Sequence, residues 1–346
     1  MDVDSTPTTN IHAVIGRNGV GKTTLLNGMI DAITKRPNEA KFINLETTPE
    51  SEIGVDYFSS LVSVSFSAFD PFNPPAEQPD PAKGTCYFYI GLKDSKSPDH
   101  HRTITDLRAD CVKALAGCFR NDGKTKRWLK AIEKLGSDEN FAAMNLTQLQ
   151  AMYLHVRAQR VGEQSDSENF LKQYALEVDK YLSRMSSGHS IVLLTITRLV
   201  ETVQEKTLVL LDEPESHLHP PLLSAFVRAL SDLLHDQNGV AIIATHSPVV
   251  LQEIPRSCVW KIFRVRTDVS VARPKIETFA ENVGMLTSEV FSLEVARSGF
   301  HGLLETSVSM GTSFEDVLKR YNNQLGLEGR AILAALIAER DGRAAR

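Results

Sequence analysis

The sequence predicts an α/β fold on a mostly parallel sheet, with a helical insertion near the middle and a C-terminal extension that ends in helices. Three observations carry this. The apolar run Ile11–Ile15 ends in a glycine loop that opens a helical pattern, with Leu25, Leu26, Met29, Ile30 and Ile33 in phase. Two more apolar runs, 207–211 and 240–244, flank the helical pattern Leu222, Phe226, Leu230, Leu233, which is strand-helix-strand grammar. Between these regions, residues 105–182 read as helices.

The remaining elements follow in chain order. Residues 61–68 and 85–92 are strand-like and enclose Pro71, Pro74, Pro75, Pro79 and Pro81, so 70–84 is expected to be an irregular surface loop. Within the insertion, one helix carries Leu107, Cys111, Leu115 and Cys118, a second covers 141–156, and a third carries Phe170, Tyr174, Val178 and Tyr181. A last pair of helices follows residue 313. Phe314, Val317, Leu318, Tyr321 and Leu325 line the first, and Leu333, Leu336 and Ile337 line part of the second beyond a stop at Gly326. That is more apolar surface than two helices can hide, so the tail is expected to dock on another protein, a second copy or the main lobe. The expected divisions are 1–95, 96–182, 183–265 and 266–346.

Composition narrows the function classes. The 346 residues are 42% hydrophobic and 23% charged, as in a globular protein of two or three domains or one with a large insertion. A net charge of -5 leaves nucleic-acid contact to local patches such as 120–134 or 256–275, each of which alone reads first as a solvated face. Residues 1–10 show no signal-peptide pattern and no apolar run approaches a spanning helix, so a cytoplasmic protein without membrane segments is expected. Cys86, Cys111, Cys118 and Cys258 lack zinc-ligand spacing and are expected to be reduced core residues.

The chemistry is carried by three motifs. Gly16-Arg17-Asn18-Gly19-Val20-Gly21-Lys22-Thr23 matches the phosphate loop in full, between strand and helix as required. Its backbone N–H groups would cradle phosphates, with Gly16, Asn18, Gly19, Gly21, Lys22, Thr23 and Thr24 as nucleotide-binding candidates and Thr23 also on Mg²⁺. Asp212 and Glu213 follow a buried strand at its C-terminal end, where ligands bind in parallel sheets. Asp212 is the expected Mg²⁺ residue and Glu213 the expected base for the attacking water. A third strand delivers His246 to the same end, where an imidazole can face a γ-phosphate. ATP and Mg²⁺ are the expected cofactors.

These residues resemble the ABC-type ATPases, in their Rad50-like and overcoming-lysogenization-type branch. Met185-Ser186-Ser187-Gly188-His189 stands where that family carries its L-S-G-G-Q signature, with Ser186 and Gly188 matching. The resemblance implies that Ser186, Ser187 and Gly188, opening a helix, face ATP held by a second copy, and so a homo-oligomer of at least two chains. No glutamine occurs in 62–70 for the family's glutamine loop, and Ser67 or Asp70 are the candidates to replace it. His219 stands where transporter members have aspartate, which points away from a transporter. About ten residues precede the first strand, where the family usually has strands that cover the adenine.

A closer similarity is to the ATPase subunit of the Septu antiphage system, also found with some retrons, through residues 64–72, 244–255 and 277–284. It implies a bacterial defence ATPase that gates a separate HNH-type nuclease and meets nucleic acid through the complex. The alternative is a DNA-repair or chromosome-organising head of the Rad50 or RecF type that binds DNA directly. Residues 96–182 are too short and too mixed in period for a long heptad arm, which favours the first. A catalytically idle scaffold is opposed by intact Lys22, Asp212 and Glu213. No D-x-D carboxylate pair follows His246, so no nuclease activity is expected in this chain.

Overall fold

The computed structural model describes residues 5–36, 40–45, 48–54, 57–67, 70–95, 100–295, 299–309 and 312–344. The chain divides into two compact units, Met1–Val283 and Gly284–Arg346.

The first unit opens with β1 (Ile11–Ile15) and α1 (Lys22–Ile33), then a short antiparallel pair, β2 (Ile43–Asn44) and β3 (Ser51–Glu52). Strands β4 (Ser60–Ser65) and β5 (Cys86–Gly91) follow, and among the described residues between them the proline-rich segment has a 3-10 turn at Pro81–Lys83 and a bridge from Gln78 to Tyr87. After the insertion come β6 (Thr207–Asp212), α8 (Pro220–His235), β7 (Val240–Thr245) and α9 (Pro248–Gln252). The hairpin β8 (Val259–Val265) and β9 (Asp268–Ala272) completes a seven-stranded sheet in the order β5-β4-β6-β7-β1-β8-β9. All neighbours are parallel except β8 and β9, so the expected mostly parallel α/β architecture is present.

Alternation along the strands builds two apolar layers. Leu208, Leu210 and Ala244 share one face with Leu61 and Tyr87 and are covered by Leu26 and Ile30 of α1. Val209, Leu211, Ala241 and Ile243 point the other way and are fully buried. Every core-facing residue expected in α8, Leu222, Phe226, Leu230 and Leu233, is buried.

Among its described residues the insertion holds five helices, where the periodicity predicts three: α2 (Ile104–Phe119), α3 (Asp122–Leu135), α4 (Glu139–Ala143), α5 (Gln148–Gln159) and α6 (Glu168–Leu182). The expected helix over 141–156 is broken because Asn145 takes a left-handed φ of 49° between α4 and α5. On α6 it is Leu182, not Tyr181, that completes the buried stripe of Phe170, Tyr174 and Val178. Helix α3 is hidden in the basic run 120–134, whose bases are largely spent inside the chain. Arg120 pairs with Asp166, Lys130 with Asp236 and Lys134 with Asp232, while Lys124 and Arg127 donate to the carbonyls of Glu201 and Val203. Its apolar side buries Trp128, whose Nε1 donates to Thr197 Oγ1 at 2.9 Å on α7 (Ser187–Thr202). All four cysteines are buried and unpaired, and burial pushes Cys111 up to about 12.

The second unit contains α10 (Val283–Val295, from Gly284 on), α11 (Phe300–Ser309), α12 (Phe314–Arg320) and α13 (Leu327–Ala344). Leu304 and Val308 of α11 pack with Val317 and Leu333, and Phe314, Tyr321, Leu325, Leu336 and Ile337 gather round them. The tail's apolar face is thus partly covered by a helix that its own two-helix pattern does not include.

Candidate active site

The phosphate loop joins β1 to α1. Gly19 and Gly21 hold left-handed φ values of 80° and 103°, and Gly21 is the residue from which α1 starts. Lys22 is buried at 4% exposure, and its Nζ donates to the carbonyls of Gly16 (3.0 Å) and Arg17 (3.2 Å) while standing 3.6 Å from Glu213 Oε1. The ammonium is held at the mouth of the loop. Asn18 is exposed in the loop and Thr24 on the first turn of α1.

Strand β6 ends beside it. Thr23 Oγ1 donates to Asp212 Oδ2 at 2.8 Å, and Asp212 Oδ1 is buried without a hydrogen-bond partner. Burial, reinforced by the charges of Glu213 and Asp70 and opposed by the Thr23 bond, raises the Asp212 pKa to about 6. A divalent cation fits this arrangement. An oxygen that has lost water and gained no donor lies next to a threonine hydroxyl, which is the hard donor set Mg²⁺ prefers. Glu213 itself takes a left-handed φ of 45°, and its N–H donates to Ala244 O at 2.9 Å.

Strand β7 supplies His246. Its Nδ1 lies 3.5 Å from Glu213 Oε1 and 3.2 Å from Glu215 Oε1, and contact with Glu213 outweighs burial to raise the imidazole pKa. The same contact, against burial, lowers that of Glu213. Glu215 fixes the histidine from below. Its Oε1 accepts from Thr245 Oγ1 (2.6 Å) and from the His246 N–H (2.7 Å). Sequence reasoning passed over Glu215, although it repeats the carboxylate two residues after Glu213.

Of the glutamine-loop candidates, Asp70 lines one cavity with Asp212 and raises its pKa; residues 68–69 lie outside those described. Lys93 Nζ donates to the carbonyls of Asp70 and Phe72 and so fixes this turn.

The signature segment is a second, separate cluster. Ser186 caps α7, its Oγ accepting from the His189 N–H at 3.3 Å and lying 2.6 Å from His189 Nδ1. Gly188 admits no side chain, since a Cβ there would sit 2.5 Å from the carbonyl oxygen of His217. Ser186 and Ser187 are exposed at the helix start, and among the described contacts none joins them or Gly188 to their own phosphate loop. Buried Asp138, from the insertion, ties the cluster together. One oxygen is 2.8 Å from His219 Nε2, and the other is 3.7 Å from His189 Nε2 and caps α4 through the Phe141 N–H. Nothing local in the sequence marks Asp138, because both histidines it meets are more than fifty positions away.

Residues 120–252 match the family described as "AAA domain, putative AbiEii toxin, Type IV TA system". Protein ea59 of Escherichia phage lambda is 59% identical over 342 residues, which is 99% of this chain, and the chain spans 65% of that protein's length. Among solved structures, an inward-facing ABC transporter described as of metal-chelate type aligns with TM-score 0.37 and 16% identity over 82% of this chain and 79% of its own. A nucleotide-free ATP-binding cassette from an ABC transporter aligns with TM-score 0.36 and 14% identity over 77% and 81%. The phosphate loop, the Asp-Glu strand end and the sheet that carries them define a P-loop nucleotide-binding site on a mostly parallel α/β sheet. Among the described residues no helix is long and apolar enough to cross a membrane.

Proposed function

We propose that this chain binds and hydrolyses ATP, and that two copies close head to head on two nucleotides. The observation that carries the reading is the meeting of Lys22, Thr23, Asp212, Glu213 and His246 at one end of the sheet. Lys22 and the loop N–H groups bind the phosphates. Thr23 and Asp212 would hold Mg²⁺, whose chemistry when bound is to neutralise the phosphate oxygens. Glu213, its pKa held low by His246, accepts a proton from the attacking water. His246 presents its remaining ring nitrogen to the γ-phosphate.

Dimer closure is supported by the exposed start of α7, a sixteen-residue helix whose positive dipole end suits an anion supplied by another copy. Replacing Glu213 with Gln should leave ATP binding intact and trap the closed pair. Light scattering with ATP and Mg²⁺ is expected to give a dimer or larger assembly, and a monomer indifferent to nucleotide would overturn the reading.

The finer reading is an antiphage ATPase subunit that gates a separate HNH-type nuclease. It rests on the Septu-like segments 64–72, 244–255 and 277–284, the first of which contains Asp70 and the second His246. Co-purification from the native operon followed by mass spectrometry is expected to recover such a nuclease. Recovery of this chain alone would refute it.

A further inference from the structure

Resting on the ATPase reading, we infer that the nucleobase is held on the outer face of the β8–β9 hairpin, with the Arg264 guanidinium stacked on the base and Val269 and Val271 beneath it. The direction of the nucleotide comes first. Everything suited to the γ-phosphate and its metal, Asp212, Glu213 and His246, stands at the ends of β6 and β7, on one side of β1. A triphosphate threaded through the loop with its γ end there must carry its nucleoside out on the other side of β1. That side is β8.

Strand β8 is in direct contact with the loop. Gly16 is so close to it that a Cβ would lie 2.6 Å from Ile262 O, and Val20 of the loop packs on Ile262 together with Val14. Register then identifies the face. Val14 is opposite Ala244, which lies under α1, and also opposite Trp260, so by alternation Ile262 and Arg264 share the α1 face of the sheet. Across the hairpin, Ile262 is opposite Val271 and Arg264 opposite Val269. Helix α1 makes its main strand contacts with β4, β6 and β7.

The result is an apolar strip that begins buried at Val20 and Ile262 and continues outward to Val271 and Val269, which are 54% and 56% exposed. Arg264 stands beside it with its Nε donating to Arg266 O at 3.0 Å, which fixes the plane of the head. A flat aromatic ring fits such a surface. Valine side chains exclude water from one face, and a guanidinium plane stacks on the other at no cost in sequence-specific bonding. The chemistry selects a planar base and discriminates weakly among bases.

The test separates the base from the phosphates. Calorimetric titration of the full chain with Mg²⁺ compares ATP against inorganic tripolyphosphate for wild type, Arg264→Ala, Arg264→Lys and Val271→Asp, each checked for an unchanged melting temperature. Expected are losses of about fivefold to tenfold in ATP affinity for Arg264→Ala, and at least as much for Val271→Asp, with tripolyphosphate affinity unchanged. Arg264→Lys should fail to restore ATP binding, because it keeps the charge and loses the plane. Unchanged ATP affinity in both Arg264→Ala and Val271→Asp would overturn the inference. So would equal losses for both ligands with rescue by lysine, which would make Arg264 a phosphate contact. Wild-type protein that bound neither ligand would instead defeat the ATPase reading, and this one with it.

Discussion

At Gly188 a single missing side chain decides how the signature segment meets the strand end that holds Glu213. A methyl group there would press on a backbone carbonyl, that of His217, which cannot swing aside. Gly188→Ala is therefore expected to cost about 1 to 3 kcal/mol of stability, read by urea denaturation, and to slow ATP turnover more than it weakens ATP binding. Asp138 acts by charge. Burial opposes its ionisation, but the Phe141 N–H and His219 prevail and hold its pKa below the ordinary value of 3.8. A carboxylate depressed on folding contributes stability that is fully present above its unfolded pKa and is lost as pH falls through its folded one. Asn can cap α4 equally well, so Asp138→Asn isolates the charge. It should cost about 1 to 2 kcal/mol at pH 7, and the gap from wild type should narrow as pH falls below 3.8, as chemical denaturation at pH 7 and in acid would show. An equal cost at both would mean that shape alone matters. The contrast between these residues and Lys22 also explains what was readable. The phosphate loop, Asp212, Glu213 and His246 announce themselves because their chemistry sits in contiguous strings. Asp138 works only through partners brought to it by folding, and no string contains it.

At the scale of elements, strands were legible to within a residue or two where they are buried on both faces, as in β6 and β7, since a continuous apolar run between turn signals has few other outcomes. The insertion was read less well, for a physical reason. Helices α3 and α4 begin at Asn121 and Asp138, whose side chains accept from the N–H groups of Lys124 and Phe141, and these polar caps look like loop residues in a pattern scored on apolar spacing. Trp128 on α3 then bridges to α7, the helix that opens with the signature. Its ring is fully buried and its Nε1 satisfies Thr197. Trp128→Phe removes the donor and leaves a buried hydroxyl with one bond fewer, so an unfolding free energy lower by about 1 to 3 kcal/mol is expected. Adding Thr197→Val should recover part of that loss by removing the stranded hydroxyl, and a fully additive double mutant would show that the bond carries none of it.

For the whole molecule, the sequence showed that the last two helices carry more apolar surface than they can bury, but not what covers it. The structure supplies part of the answer within the same unit. Leu304 and Val308 on α11 enter the cluster with Val317 and Leu333, so the tail is the larger part of a small helical unit that begins at Gly284. Where a truncation falls should then matter more than how much it removes. Cutting after residue 312 strips α12 and α13 from α11 and leaves Leu304 and Val308, now 1% and 5% exposed, facing water. Cutting after Val283 removes the cluster together with everything packed in it. The 1–283 chain is therefore expected to melt cooperatively and to bind ATP with near wild-type affinity, while the 1–312 chain, though longer, should bind a hydrophobic dye and aggregate on warming. Loss of cooperative melting in 1–283 would show that residues 284–346 complete the core of the ATPase unit. If 1–283 folds and binds ATP but no longer associates when Glu213→Gln is added, the second unit is where copies of the chain, or their partner, are held.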